Sequence, residues 1–212
     1  MLKISQAFVI NPSSRQPRRI VTVSGRGVRG IFPSRKSAKP AQFESLVEEM
    51  ALRVLEVAPS VKSLATQPLV FEYSDGTGRR RYTPDLEIAT FDGVSFLEVK
   101  DDGTFMVGSE AVARVSAAVR HLRHRGDRLN IILRSDLVAN DLQRQLELLL
   151  RMRPLRSRYR VYIDASQWDP EYGTVPPLDV QQQWEDAKRQ CDELLHRIMK
   201  RDPDDLLPAS AR

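Results

Sequence analysis

The chain has 212 residues, of which 41% are hydrophobic and 29% charged, a composition suited to one substantial globular domain with an extension, or to two small domains. No apolar run approaches the ~20 residues that span a bilayer and residues 1–10 make no signal peptide, so a cytoplasmic, nucleoid-associated protein with no membrane partner is expected. The net charge of +5 is unevenly spread: residues 1–43 hold nine bases and no acid, 44–110 sum to −7, 111–163 to +8 and the remainder to −5.

Cys191 is the only cysteine, which excludes an intrachain disulfide and a cysteine-based zinc site. Arginine supplies 26 of the 33 bases, and its planar fork suits phosphate better than the point charge of lysine. An acidic centre between arginine-rich segments suggests a metal site set in a phosphate-binding surface; the alternative is a solvated basic surface.

Residues 1–40 are rich in proline and glycine and read as a basic extended arm, with at most a short strand near 19–23. Arg26, Arg29, Arg35 and Lys36 lie among its glycines and serines, where backbone could approach a DNA phosphate. From Ala41 to Val57 the apolar positions Phe43, Leu46, Val47, Met50, Ala51, Val54 and Leu55 follow helical spacing, and Pro59 ends the run. Glu48 falls at the margin of that face. Spacing alone does not choose between it and Glu44.

Strands are expected at 61–66 and 69–73, then a turn at 75–78. Arg79-Arg80-Arg81 leads into Tyr82-Thr83-Pro84-Asp85-Leu86, and the turn Phe91-Asp92-Gly93-Val94 precedes Phe96-Leu97-Glu98-Val99-Lys100. Asp-Gly between apolar residues is a strong hairpin signal. A two-residue Asp92-Gly93 loop pairs residues whose numbers sum to 185, which sets Asp85 opposite Lys100. Glu98 shares their face, while Leu86, Ile88, Leu97 and Val99 share the other. A second amphipathic helix covers 108–124, a nearly all-apolar strand 129–133, and a helix capped by Asp136 runs from about 137 to 152. Residues 165–177 read as a linker, 180–200 as a last helix, and 202–212 as a loose tail. The expected organisation is a 1–40 arm, a 41–164 α/β domain with a mixed central sheet flanked by helices, and a 165–212 extension that either docks a partner or packs back.

Two carboxylates and an amine on one sheet face suit phosphodiester hydrolysis. Mg²⁺ takes hard oxygen ligands and keeps several waters, and a pair of ions can clamp attacking and leaving oxygens. Asp85 and Glu98 are the expected ligands, with the Val99 carbonyl as a third and Glu48 completing the cluster. Lys100 would orient the attacking water. The alternative is a surface hairpin with ordinary cross-strand charge pairs.

Five ordered blocks carry a resemblance: Val28-Arg29-Gly30-Ile31-Phe32-Pro33-Ser34-Arg35-Lys36, Phe43-Glu44-Ser45-Leu46-Val47-Glu48, Gln67-Pro68, Tyr82-Thr83-Pro84-Asp85 and Leu97-Glu98-Val99-Lys100. Over roughly residues 20–160 the chain resembles the TnsA family, endonuclease subunits of heteromeric transposases with a PD-(D/E)xK restriction-endonuclease-like core. The resemblance selects Glu48 over Glu44, maps the catalytic aspartate and lysine to Asp85 and Lys100, and gives Gln67 a supporting role. It departs at Glu98, where the best-known member has glutamine. It implies an enzyme that uses Mg²⁺, with Mn²⁺ able to substitute, to nick double-stranded DNA at the 5′ ends of a transposon. The implied partners are a TnsB-like DDE transposase and a TnsC-like AAA+ ATPase.

Overall fold

β3 (Ser63–Thr66), β6 (Leu86–Thr90), β7 (Gly93–Lys100) and β8 (Leu129–Leu133) form the central sheet in that order. They belong to a computed structural model that describes residues 28–74, 78–106, 108–153 and 177–207. The first three strands run antiparallel as a meander, and β8 joins β7 in parallel. A parallel join needs a crossover, which α2 (Glu110–His124) supplies. The result is a mixed α/β sheet flanked by helices. Among the described residues no helix is long and apolar enough to cross a membrane.

Strand alternation divides the core in two. Leu86, Ile88, Leu97, Val99 and Ile132 meet a layer made by α1 (Leu46–Val57), α4 (Leu142–Met152) and α5 (Leu178–Lys200). Phe96, Leu129 and Ile131 point the other way, onto Val112, Val115, Val119 and Leu122 of α2. That second face also receives Phe71, Tyr73 and Tyr82 from a separate hairpin, β4 (Phe71–Ser74) and β5 (Arg79–Tyr82).

The hairpin β6–β7 has the expected faces but a different register. Its pairs sum to 183, with Leu86 opposite Leu97 and Thr90 opposite Gly93, so the turn is Phe91-Asp92. Thr90 closes it early: its Oγ1 accepts from the Asp92 N–H and donates to the Gly93 carbonyl, both at 3.2 Å. Gly93, with φ +121°, becomes the first residue of β7. Continuing the pairing sets Asp85 beside Glu98 rather than Lys100. Because the slip is two residues, every side chain keeps its face.

Helix α1 starts at Leu46, not Ala41, because Ser45 is an extended N-cap whose side chain accepts from Glu48 N–H. Residues 41–43 are instead β2 (Ala41–Phe43), paired with β1 (Gly30–Phe32) from the expected arm. A Cβ at Gly30 would strike the Phe43 ring, so glycine permits this close pairing. The expected 137–152 helix is also divided. Asp136 lies inside a one-turn α3 (Arg134–Leu137), and Asn140 and Asp141 adopt φ +61° and +56° before α4 begins. Asn and Asp are the non-glycine residues that tolerate this left-handed region best.

The last helix packs back on the domain through Trp184, Ala187, Cys191, Leu194, Leu195 and Ile198. Burial pushes the Cys191 thiol up to about 12, which leaves it inert. Residues 202–207 are docked rather than loose. Leu207 is buried on the second core, and Arg123 bonds Asp202 and Asp204 at 2.9 and 2.7 Å. The expected strand near 19–23, most of the linker and the final tail residues lie outside the described residues.

A buried carboxylate clamps the far end of α1. Glu56 is 0% exposed and accepts from Ser34 Oγ at 2.6 Å, Arg35 N–H at 2.9 Å and Arg153 Nη2 at 2.8 Å. Beside it, Lys36 Nζ donates to the Leu55 and Ala58 carbonyls at 2.8 and 2.5 Å. These carbonyls are at the helix C-terminus, where a cation is favoured.

Candidate functional site

Where β6 begins and β7 ends, the second sheet face carries a charge cluster in which Glu98 is buried and Asp85 and Lys100 are partly so. Glu98 is 3% exposed, so its carboxylate needs partners to offset lost hydration. Tyr82, the last residue of β5, donates from its hydroxyl to Glu98 Oε2 at 2.5 Å. Lys100 Nζ lies 2.5 Å from Glu98 Oε1 and 3.5 Å from Asp85 Oδ2. Asp85 Oδ2 also accepts from Val99 N–H at 2.8 Å, and Lys100 Nζ donates to the Val99 carbonyl at 3.2 Å. Thus Asp85, Glu98, Val99 and Lys100 do converge.

The electrostatics follow from burial and crowding. Burial, then the nearby Glu98 charge, pushes Asp85 from 3.8 up to about 7, against the opposing pull of Lys100 and Val99 N–H. Burial and Glu98 hold Tyr82 well above the ordinary phenol range, so it remains a donor. For Lys100, burial alone would lower the pKa, but Asp85 and Glu98 outweigh it and the value is raised. The ammonium therefore stays charged between the carboxylates.

A raised carboxyl pKa means the folded protein binds this proton more tightly than the unfolded chain. Its stability should therefore decline as pH rises from about 4 to about 7, with little change from this group outside that window. An Asp85→Asn variant should flatten the decline and melt several degrees higher than the parent at pH 8, while matching it near pH 4. Thermal melts across pH in a chelating buffer check this; parallel curves would rule it out.

Glu48 stands at the edge of the cluster. Its pKa is raised, by burial first and then by the charge of Asp85. Its oxygens hold the helix start: Oε2 accepts from Glu44 N–H at 2.8 Å and Oε1 from Ser45 Oγ at 3.0 Å. With Ser45 capping in return, this is a reciprocal capping arrangement. Gln67 has φ +45°, and its N–H donates to the Asp85 carbonyl at 2.9 Å while Nε2 reaches Glu44 Oε1 at 3.4 Å. Gln67 thereby pins the backbone of Asp85.

Among the described residues no group of three or more His, Cys, Asp or Glu is gathered as a metal cage. The donor chemistry nevertheless fits a hard divalent cation. Tyr82 and Val99 N–H each orient one oxygen of Glu98 and Asp85, which leaves Asp85 Oδ1 and, once Lys100 turns aside, Glu98 Oε1. With the Val99 carbonyl, that is a partial oxygen set of the kind Mg²⁺ completes with waters.

The expected DNA contacts fare differently. Arg35 and Lys36 are 8% and 6% exposed, and the Lys36 ammonium is engaged by helix carbonyls, so it is turned away from any phosphate. Arg29 is partly buried, and Arg26 lies outside the described residues. Two residues gain roles the spacing did not show. Tyr82 locks Glu98, and Arg114 of α2 is close enough for its charge to act on both Lys100 and Tyr82. A signal for the first was present: a glutamate inside the apolar run 96–99 must have a buried partner. No protein-family model matches the chain, and no curated protein matches it either.

Proposed function

We propose that this chain is a metal-dependent DNA endonuclease with a restriction-endonuclease-like core, and that it nicks the 5′ ends of a transposon beside a separate DDE transposase. The observation that carries the hydrolytic reading is the meeting of Asp85, Glu98 and Lys100 within 3.5 Å of one another through the lysine. The resemblance of the five sequence blocks supports the transposon context and the ATPase partner.

Mg²⁺ held by Asp85 and Glu98 would supply charge neutralisation at the phosphate and a more acidic water. The protein's own groups set the geometry. Tyr82 and Val99 N–H hold the two carboxylates at fixed rotation, and the Gln67 N–H fixes the chain beneath Asp85. Lys100 is a permanent cation that can bind the attacking water through one N–H and offset charge developing on a phosphate oxygen. Such preorganised donors act strongly because the site is largely withdrawn from solvent.

The test uses purified protein, Mg²⁺ and duplexes carrying element ends, with and without the partner transposase. Cleavage of the 5′ strand is expected to need both the cation and the partner. Lys100→Ala should lower it by roughly 10²- to 10³-fold, the scale for losing one preorganised donor, while 3′ cleavage by the partner persists. A variant that cuts the 5′ strand at the parental rate would overturn the site. Parental cutting of naked DNA without a partner would favour a stand-alone nuclease over a transposase subunit.

A further inference from the structure

With Lys36 turned inward, the basic surface beside the site must be sought elsewhere, and two elements supply it. The hairpin β4–β5 is inserted between β3 and β6 and is separate from the central sheet. Its inner face buries Phe71, Tyr73 and Tyr82 against Phe96 and α2. By strand alternation, Arg79 and Arg81 take the opposite face, and both are exposed. Arg79 has no ion-pair partner among the described residues. Arg81 Nε lies 3.0 Å from Glu72 Oε1, but both side chains are well solvated, at 67% and 40%. Such a pair is worth only about 0–1 kcal/mol and yields readily to a better anion.

Arg81 immediately precedes Tyr82, whose hydroxyl holds Glu98. On the other element, Arg114 is exposed on α2 and has no ion-pair partner among the described residues, yet lies near Lys100 and Tyr82. The hairpin thus carries cationic groups on its outer face and the Glu98 partner Tyr82 on its inner one, while the charge of Arg114 on the helix acts on Lys100 and Tyr82 at the cluster. Two residues along a strand rise about 7 Å, as do two nucleotides along one strand of a duplex. Arginine's planar fork matches a phosphate bidentately, and a two-stranded ribbon fits a DNA groove.

We propose that Arg79 and Arg81 of the hairpin, with Arg114 of α2, form the path along which the phosphate backbone of duplex DNA crosses the carboxylate–lysine site. The proposal rests on the nuclease reading only for what happens at the end of that path. Arg114 reaches the phosphate nearest the site, and Arg79 and Arg81 hold phosphates further along the same strand. Contacts of this kind position the duplex and carry no sequence information.

The experiment measures binding of a short labelled duplex to the full chain in a chelating buffer, across a series of salt concentrations. Arg79→Ala/Arg81→Ala should weaken binding roughly tenfold or more and lower the log–log salt slope by about two, at ~0.9 per phosphate contact. Arg114→Ala should lower the slope by about one and, with Mg²⁺ and partner present, slow single-turnover cleavage at saturating DNA. Arg189→Ala, on the outer face of α5, is the control and should change neither. Unchanged affinity and slope in both variants, an equal loss in the control, or no duplex binding by the parent would overturn the path. So would equal competition by a polyglutamate of matching charge. Because binding is read without a cation, the two readings fail separately. Binding through these arginines without any cleavage would sink the nuclease reading alone, whereas parental cleavage by all variants would sink the path alone.

Discussion

Asp85→Ala is expected to abolish 5′-strand cleavage, by on the order of 10³-fold or more, and at the same time to make the protein more stable at neutral pH. Both effects have one cause. Asp85 is held ionised beside Glu98 only with difficulty, as its pKa of about 7 records, so removing it relieves a like-charge repulsion in a buried place. Lys100 keeps its 2.5 Å contact with Glu98, and Gln67 N–H donates to the backbone of residue 85, which an alanine retains. The Val99 N–H does lose its acceptor, a cost that limits the net gain without reversing it. Catalysis suffers, because one of the two carboxylates that would hold the cation has gone. A cleavage assay paired with a thermal melt at pH 8 reads both. Intact cleavage would favour a DNA-binding scaffold without chemistry. Lost cleavage with a fall of several degrees would mean that Asp85 acts as a structural anchor.

Glu56→Ala is expected to cost about 3–5 kcal/mol, the scale for breaking a buried pair from one side. The side chains of Arg153 and Glu56 are 6% and 0% exposed, so the alanine variant leaves a guanidinium buried without its carboxylate. Ser34 Oγ and Arg35 N–H lose their acceptor as well. For a chain of this size each kcal/mol is worth roughly 2–4 °C, so the melting temperature should fall by about 10 °C. Glu56→Gln keeps an acceptor oxygen and should lose less. Replacing both partners, as Glu56→Leu with Arg153→Met, should recover much of the loss, since removing both charges avoids an unpaired one. Urea unfolding of the three variants decides it; an alanine variant within 1 kcal/mol of the parent would remove the clamp from the account.

These two cases show how far the chain could be read directly. The faces of β6 and β7 were legible because alternation has a period of two, and the observed slip of two residues leaves that parity intact. The turn position was not, since it depends on the side-chain bonds of Thr90 rather than on the Asp-Gly pair. The partners of Lys36 were hidden for a related reason. A lysine beside prolines and serines suits either a phosphate or the carbonyls at a helix C-terminus, because both offer clustered negative oxygen. Only the packing of residues 33–36 on the end of α1 separates them. The helix expected at 137–152 concealed Asn140 and Asp141, whose left-handed backbone interrupts an otherwise regular apolar stripe. At the carboxylates, residue spacing left Glu44 and Glu48 undecided, and the fold separates them: Glu48 holds the helix start, whereas the Glu44 carboxylate meets Gln67.

The even-numbered offset in the hairpin has a consequence for how this region can diverge among descendants of the same ancestor. Parity, not loop length, keeps Glu98 and Lys100 over the second core while Leu97 and Val99 stay in the first. Lineages can therefore lengthen or trim the connection around Phe91 and Asp92 in steps that preserve odd and even. A single-residue change would survive only with a compensating bulge, because otherwise it would exchange the carboxylate for a leucine.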